Sequence, residues 1–197
     1  MSAKIAVVSG SSRLESNVHD IVRIAADTAR GAGAEVREVL LHRLQLPIME
    51  SGSAVQAELP AVREIRESAA WADGFVLVTP EYHGTMSGCL KNWFDYLWGE
   101  LAGKFAGVIA VTGGGGGDMS ITAVKNSFAW CHGFTLPFHA AAKSVDFEAG
   151  RLVNLRVEDR IRRIAYDVVR YAPILRGHFD AARALGAGPE SGVAGAG

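Results

Sequence analysis

Three stretches of this chain gather hydroxyl, guanidinium, aromatic and glycine groups immediately after short apolar runs. The first is Gly10-Ser11-Ser12-Arg13-Leu14-Glu15-Ser16-Asn17. Ser11, Ser12 and Ser16 supply hydroxyl donors and Arg13 a charged fork. A helix starting behind them would add unpaired N–H groups and the positive end of its dipole, a combination suited to a phosphate monoester. Helix capping by Ser16 or Asn17 is the plainer reading, but it employs one such residue where five are present.

The second stretch, Thr79-Pro80-Glu81-Tyr82-His83-Gly84-Thr85-Met86-Ser87-Gly88, places a stiffening proline, two rings, two glycines and hydroxyls in one loop. It could be no more than a strand-to-helix turn. As a wall it suits a planar, polar-edged heteroaromatic ring. The third is Gly113-Gly114-Gly115-Gly116-Gly117-Asp118. Five glycines are entropically expensive, so something there requires bare backbone; a flat ligand lying on main-chain N–H groups is one such need, and a flexible loop is the alternative. A dinucleotide fingerprint does not fit. Asp118 stands where the third Gly or Ala belongs, no acidic residue closes a strand about 20 residues later, and the loop follows a late strand.

The elements that must position these loops follow from periodicity. Apolar runs at Lys4–Ser9, Gly74–Val78 and Gly107–Thr112 read as buried parallel strands, Glu35–Leu41 as a strand nearer the edge, and Phe134–His139 as a last, edge strand because of Pro137. Helices are expected from Val18 to Ala29, Ala61 to Trp71, Cys89 to Leu97, Ile121 to Trp130 and Val157 to Val168. The segment from His42 to Leu59 has no clear period. Five strands alternating with five helices make a three-layer α/β sandwich with a parallel sheet. In the strand order 2-1-3-4-5, the three loops follow neighbouring strands and meet at one switch point.

Composition narrows the partners. The 197 residues fit one large domain, read as residues 1–180, followed by a glycine-rich tail, 181–197, expected to be mobile. Twenty Lys and Arg against 21 Asp and Glu give a net charge of −1, so neither a nucleic acid nor an anionic membrane is indicated. Cys89 and Cys131 sit in apolar helical patterns and read as buried structural thiols, with no metal-ligand cluster around them. With no signal-peptide pattern and no apolar run near the ~20 residues of a membrane span, a soluble cytoplasmic protein is expected.

With Gly-Ser-Ser-Arg-x-x-Ser-Asn, Pro-Glu-Tyr-His-Gly-x-x-x-Gly-x-Leu-Lys-Asn-x-x-Asp and the glycine run at these strand ends, the chain resembles the NAD(P)H-dependent FMN reductase family, which includes quinone, azo-dye and chromate reductases on a flavodoxin-like fold. The resemblance runs from Lys4 to about Tyr171 and is most specific in the second stretch. It implies an FMN phosphate on Ser11, Arg13, Ser16, Asn17 and the Val18 amide. It implies the flavin ring edge against Pro80, Glu81, Tyr82, His83 and Gly84, and the far side of the ring on Gly113, Gly114, Gly115 and Gly116. His83 departs from the pattern, in which Asn is common. NAD(P)H is then the co-substrate and a quinone, azo compound or free flavin the acceptor, in a ping-pong sequence with no single indispensable catalytic side chain.

Two rival functions share features of this sequence. A flavin-binding electron carrier or redox sensor would keep the site, although dedicated carriers are usually acidic and this chain is near neutral. An α/β hydrolase is disfavoured because Gly84-Thr85-Met86-Ser87-Gly88 has its serine one place from the Gly-x-Ser-x-Gly position. Assembly is read from the helix after the second loop. Leu90, Phe94 and Leu97 suffice to pack it on the sheet, which leaves Trp93, Tyr96 and Trp98 for a partner copy in a homodimer or homotetramer. The alternative is that these rings pack under the His42–Leu59 segment of the same chain.

Overall fold

The structure, a computed structural model, describes residues 2–195. In chain order its elements are β1 (Lys4–Ser9), α1 (Asn17–Gly31), β2 (Glu35–Leu40), α2 (Leu41–Leu44), α3 (Ala54–Ala57), α4 (Pro60–Trp71), β3 (Gly74–Tyr82), β4 (Thr85–Met86) and α5 (Gly88–Asp95). There follow a 3₁₀ turn (Gly99–Leu101), β5 (Phe105–Thr112), α6 (Asp118–Trp130), β6 (Phe134–Thr135), β7 (Ala140–Lys143), a hairpin of β8 (Phe147–Glu148) and β9 (Arg151–Leu152), and α7 (Leu155–Arg183).

The central sheet runs β2-β1-β3-β5-β6, with β7 also paired to β5, and these pairings are parallel. This is the flavodoxin-like order 2-1-3-4-5, its fifth strand divided in two. Leu136 still donates to the Ala106 carbonyl, Pro137 to His139 interrupt the ladder because Pro137 has no N–H to donate, and pairing resumes at Ala140 on the Ile109 register. The last strand therefore extends beyond its expected end at His139 to Lys143.

Strand alternation sorts the core into two layers. Ile5, Val7, Val76, Val78, Ile109 and Val111 face α1 and α7, while Ala6, Val8, Phe75, Leu77, Val108 and Ala110 face α4, α5 and α6. On the first face α7 rests directly on two glycines. A Cβ at Gly74 would stand 2.5 Å from Ala172 Cβ, and one at Gly107 2.3 Å from Ile164 Cγ2.

On the second face the expectation for the aromatic helix needs correction. α5 ends at Asp95, two residues before Leu97, so helical spacing does not carry through Tyr96. Trp93 is 1 % exposed and meets Phe75 edge-on at 5.9 Å; Tyr96 is 6 % exposed and its hydroxyl donates to Gln56 Oε1 at 2.8 Å. Both rings thus pack within the chain, Tyr96 under the segment after His42. That segment is not structureless: α2 and α3 lie in it, and Asn92 binds it at both the Pro47 carbonyl and the Met49 amide. Trp98 alone of the three is exposed, at 63 %.

From Ala181 the chain stays helical to Arg183, and Pro189–Gly195 forms a 3₁₀ segment in which Ser191 and Ala194 are buried. Ala196 and Gly197, the end of the expected mobile tail, lie outside the described residues. Among the described residues no helix is long and apolar enough to cross a membrane, and no cluster of three or more metal-ligating side chains occurs.

Candidate functional site

The loop after β1 is shaped by its own side chains. Ser11 is fully buried, and its Oγ accepts the Arg13 N–H at 3.1 Å. Ser16 caps α1 by accepting the Val18 N–H at 3.3 Å, which leaves its hydroxyl hydrogen free to donate outward. Capping and ligand contact are therefore compatible in one serine.

The second loop differs from a simple strand-to-helix connection. β3 continues through Pro80 to Tyr82 and folds back as a tight hairpin, with Glu81 opposite Met86 and Tyr82 opposite Thr85. Its two turn residues, His83 (φ 51°) and Gly84 (φ 74°), are both left-handed, the geometry that suits a right-twisted two-residue hairpin. This accounts for the frequency of Asn at the His83 position in the resembling pattern, since Asn tolerates that conformation best after glycine.

Ser87, 3 % exposed, joins the two loops. Its hydroxyl donates to the Gly10 carbonyl at 2.5 Å and accepts the Leu90 N–H at 3.1 Å as the cap of α5. A doubly committed, buried hydroxyl is no nucleophile, which disposes of the hydrolase reading from the site itself. Gly10 is required at this junction: a Cβ would lie 3.0 Å from both Leu90 Cβ and the Val78 carbonyl.

In the third loop the five glycines differ in role. Gly117 (φ 80°) precedes α6, and a Cβ there would lie 2.9 Å from Ala141 Cβ, so packing and conformation both demand glycine. Gly113 and Gly114 have open space where a side chain would go, and at Gly115 the nearest atom is Glu81 Oε1.

At the carboxyl edge these loops enclose a cavity of about 950 Å³, near the upper end of the ~300–1,000 Å³ common for small-molecule sites. Of the sequence-derived residues it brings together Arg13, Ser16, Asn17, Val18, Pro80, Glu81, Tyr82 and Gly113. Ser11 stands behind this lining. His83 and Gly84 lie at the hairpin tip, and Gly114, Gly115 and Gly116 lie further along their loop.

Sequence reasoning missed one wall. Ser144 and the hairpin tip Ala149-Gly150-Arg151 close the side of the cavity next to α1. Asp20, 7 % exposed, anchors this hairpin: Oδ2 accepts the Leu152 N–H at 2.8 Å, and Oδ1 accepts Arg23 and Arg151. Burial alone would raise the Asp20 pKa, but the hydrogen bonds from Leu152, Arg23 and Arg151 outweigh it and hold the carboxyl below its ordinary 3.8. Two of the cavity's arginines are thus paired with Asp20, whereas among the described residues Arg13 forms no ion pair.

A parallel sheet in the order 2-1-3-4-5, with a cavity at its switch point formed by the loops after the first, third and fourth strands, defines a flavodoxin-like α/β protein. The chain belongs to the NADPH-dependent FMN reductase family, whose model matches residues 3–146. Among its relatives is an NADPH azoreductase from Bacillus sp. (strain OY1-2), 32% identical over 151 residues, covering 76% of this chain and 82% of the relative. The NADPH-dependent FMN reductase ArsH of Shigella flexneri is 30% identical over 188 residues, covering 90% and 72%. In structure the chain is similar to the flavoenzyme NAD(P)H:(acceptor) oxidoreductase FerB from Paracoccus denitrificans, with a TM-score of 0.70 at 22% identity over 87% of this chain and 98% of that one. Family membership makes this protein an oxidoreductase with FMN as its cofactor and NAD(P)H as its electron donor. The family match ends at Asp146, directly before the β8–β9 hairpin begins at Phe147.

Proposed function

We propose that the cavity holds FMN and that the protein oxidises NAD(P)H for the reduction of a small acceptor such as a quinone, an azo compound or free flavin, in ping-pong order. Bound FMN supplies the capacity to take a hydride from one substrate and release the electrons to the next. The observation that carries the reading is the shared cavity itself. An unpaired guanidinium, a capping hydroxyl and a helix amino terminus occupy one end, and a proline, a tyrosine and bare glycine backbone occupy the other. Such a lining fits a phosphate at the first end and a flat ring at the second.

In this reading Arg13, Ser16, Asn17 and the Val18 amide neutralise and orient the phosphate, and Ser11 holds the loop's shape. Pro80, Glu81 and Tyr82 stand along the ring edge, with His83 and Gly84 supplying the turn that presents them. Gly113 to Gly116 let backbone N–H groups approach the ring without side chains in the way. No acid or base is required of the protein; its part is orientation. The test compares FMN with riboflavin. FMN is expected to bind much more tightly, and Arg13→Ala is expected to weaken FMN by about 1.5–3 kcal/mol while leaving riboflavin unchanged. Equal affinities for the two flavins would refute the cavity assignment.

A flavin-binding electron carrier would share this site, so reduction is tested separately. Anaerobic addition of NAD(P)H should bleach the bound flavin, and parallel-line kinetics with a quinone should follow. Persistent flavin colour would favour the carrier. We also propose that the protein assembles as a homodimer or homotetramer. With Trp93 and Tyr96 internal, the support moves to Trp98, which follows α5, and to Met119 and Trp130 of α6, which are 63 %, 69 % and 74 % exposed.

A further inference from the structure

His19, on the first turn of α1, lines the cavity next to the loop that bears Arg13, and the proposed function gives it no task. Its Nε2 is 2.9 Å from the Arg13 carbonyl oxygen and its Nδ1 is 3.2 Å from Ser9 Oγ. A carbonyl can only accept, so Nε2 carries the hydrogen; in the neutral ring Nδ1 is then the acceptor for the Ser9 hydroxyl. Ser9, the last residue of β1, is fully buried, and the His42 ring from α2 packs at 4.7 Å on the imidazole. The ring is therefore held on two sides, with its Nε2–H directed at the loop.

The consequence falls on one residue. Arg13's N–H is bound by Ser11 Oγ, and its carbonyl by His19 Nε2 at 2.9 Å with a longer contact from Ser11 Oγ at 3.5 Å, so both of its main-chain hydrogen-bonding groups are fixed, while its guanidinium forms no ion pair among the described residues. With its backbone held at both groups, the direction in which the Arg13 side chain leaves the loop is restricted.

We propose that His19 is a positioning residue for the anion held at this loop: through Nε2–H it fixes the Arg13 backbone and so the line along which the guanidinium enters the cavity. The inference rests on the FMN reading for the identity of that anion. His19 lines the same cavity, but both of its ring nitrogens are engaged, Nε2 by the Arg13 carbonyl and Nδ1 by Ser9, so its effect runs through Arg13 at the phosphate end and should alter affinity for FMN while leaving riboflavin untouched.

Two variants separate the donor from the ring. In His19→Gln the side-chain amide nitrogen reaches the Nε2 position and can still donate to Arg13; in His19→Asn the amide reaches only the Nδ1 position, so the Ser9 contact survives and the Arg13 contact is lost. Dissociation constants for FMN and riboflavin, measured by quenching of flavin fluorescence, are the readout. His19→Asn should weaken FMN about tenfold, the equivalent of one lost hydrogen bond, with riboflavin unchanged. His19→Gln should stay close to wild type. A preference for FMN that survives His19→Asn intact, or is lost equally in His19→Gln, overturns the inference alone. Equal affinity of the wild type for the two flavins sinks the FMN reading and the inference with it. Should His19→Asn fail to fold, ¹⁵N resonances of the wild-type imidazole at about pH 8, where histidine is ordinarily neutral, decide the matter. Hydrogen on Nε2 supports the positioning role, and hydrogen on Nδ1 excludes it.

Discussion

Lys104 illustrates how a single residue can set the response of this fold to pH. It is 2 % exposed, and its Nζ donates to the Ala69 and Ala70 carbonyls at the carboxyl end of α4, 5.9 Å from the centre of the Phe75 ring. Burial, reinforced by Arg176, pushes its pKa down to about 7. The unfolded chain keeps this proton up to the ordinary value of 10.5, so between the two pKa values the unfolded state binds more protons and stability rises with pH. Wild type is expected to gain stability relative to Lys104→Met from about pH 7 to 10, with a slope of at most about 1.4 kcal/mol per pH unit. Urea titrations of both proteins at a series of pH values measure it, and parallel curves would refute it.

At the scale of elements, the β8–β9 hairpin depends on Asp20. The folded carboxyl has a lowered pKa, so its contribution is fully present above the ordinary 3.8 and fades as the pH falls through the folded value. Asp20→Asn should cost about 1.5–3 kcal/mol at neutral pH, the range for hydrogen bonds to a charged group, with amide exchange at Leu152 the local probe. Unchanged protection there would show that the hairpin is held by other contacts. The turn itself stores strain, since Ala149 is left-handed (φ 47°) before Gly150 (φ 77°). Ala149→Asn should therefore stabilise by about 0.5–1 kcal/mol, and a fall in the thermal midpoint would contradict this.

These hairpins also mark where reading the sequence stopped. The sheet order, the layers and the three loops followed from apolar runs and the glycines between them. The two hairpins did not, because a two-residue turn is recognised by Asn-Gly or Asp-Gly, and here His83 and Ala149 occupy the first position. Pro80 concealed the last part of β3. It is tolerated because β1 pairs only as far as Val78 and β4 pairs only from Glu81, so at Pro80 itself the neighbouring strand is β5 alone. Tyr96 was misdirected by extending helical spacing beyond Asp95. Asp20 carried no signal at all, its partners Arg151 and Leu152 being more than 130 positions away.

For the whole molecule the open question of assembly has a direct measurement. If Trp98, Met119 and Trp130 are covered by a second copy, light scattering at micromolar protein should give a multiple of the 20.9 kDa chain. Trp98→Lys with Trp130→Lys should then shift the mass to that of one chain, because burying a charged amine in an apolar contact is costly. A wild-type mass near 20.9 kDa would refute assembly through this face.

The seating of α7 on Gly74 and Gly107 bears on how the chain is made. This helix leaves the ribosome after every strand it covers: it packs on β1, β3 and β5 and lies along α1. Until Ile164, Val168 and Ala172 have emerged, one face of the sheet has only α1 over it, and the two glycine grooves stay open. Domains tend to fold as units during synthesis, and contacts between distant segments form late. Completion of this fold thus waits for α7 to emerge, and nascent chains stalled before Leu155 should remain sensitive to protease at the strands that α7 shields.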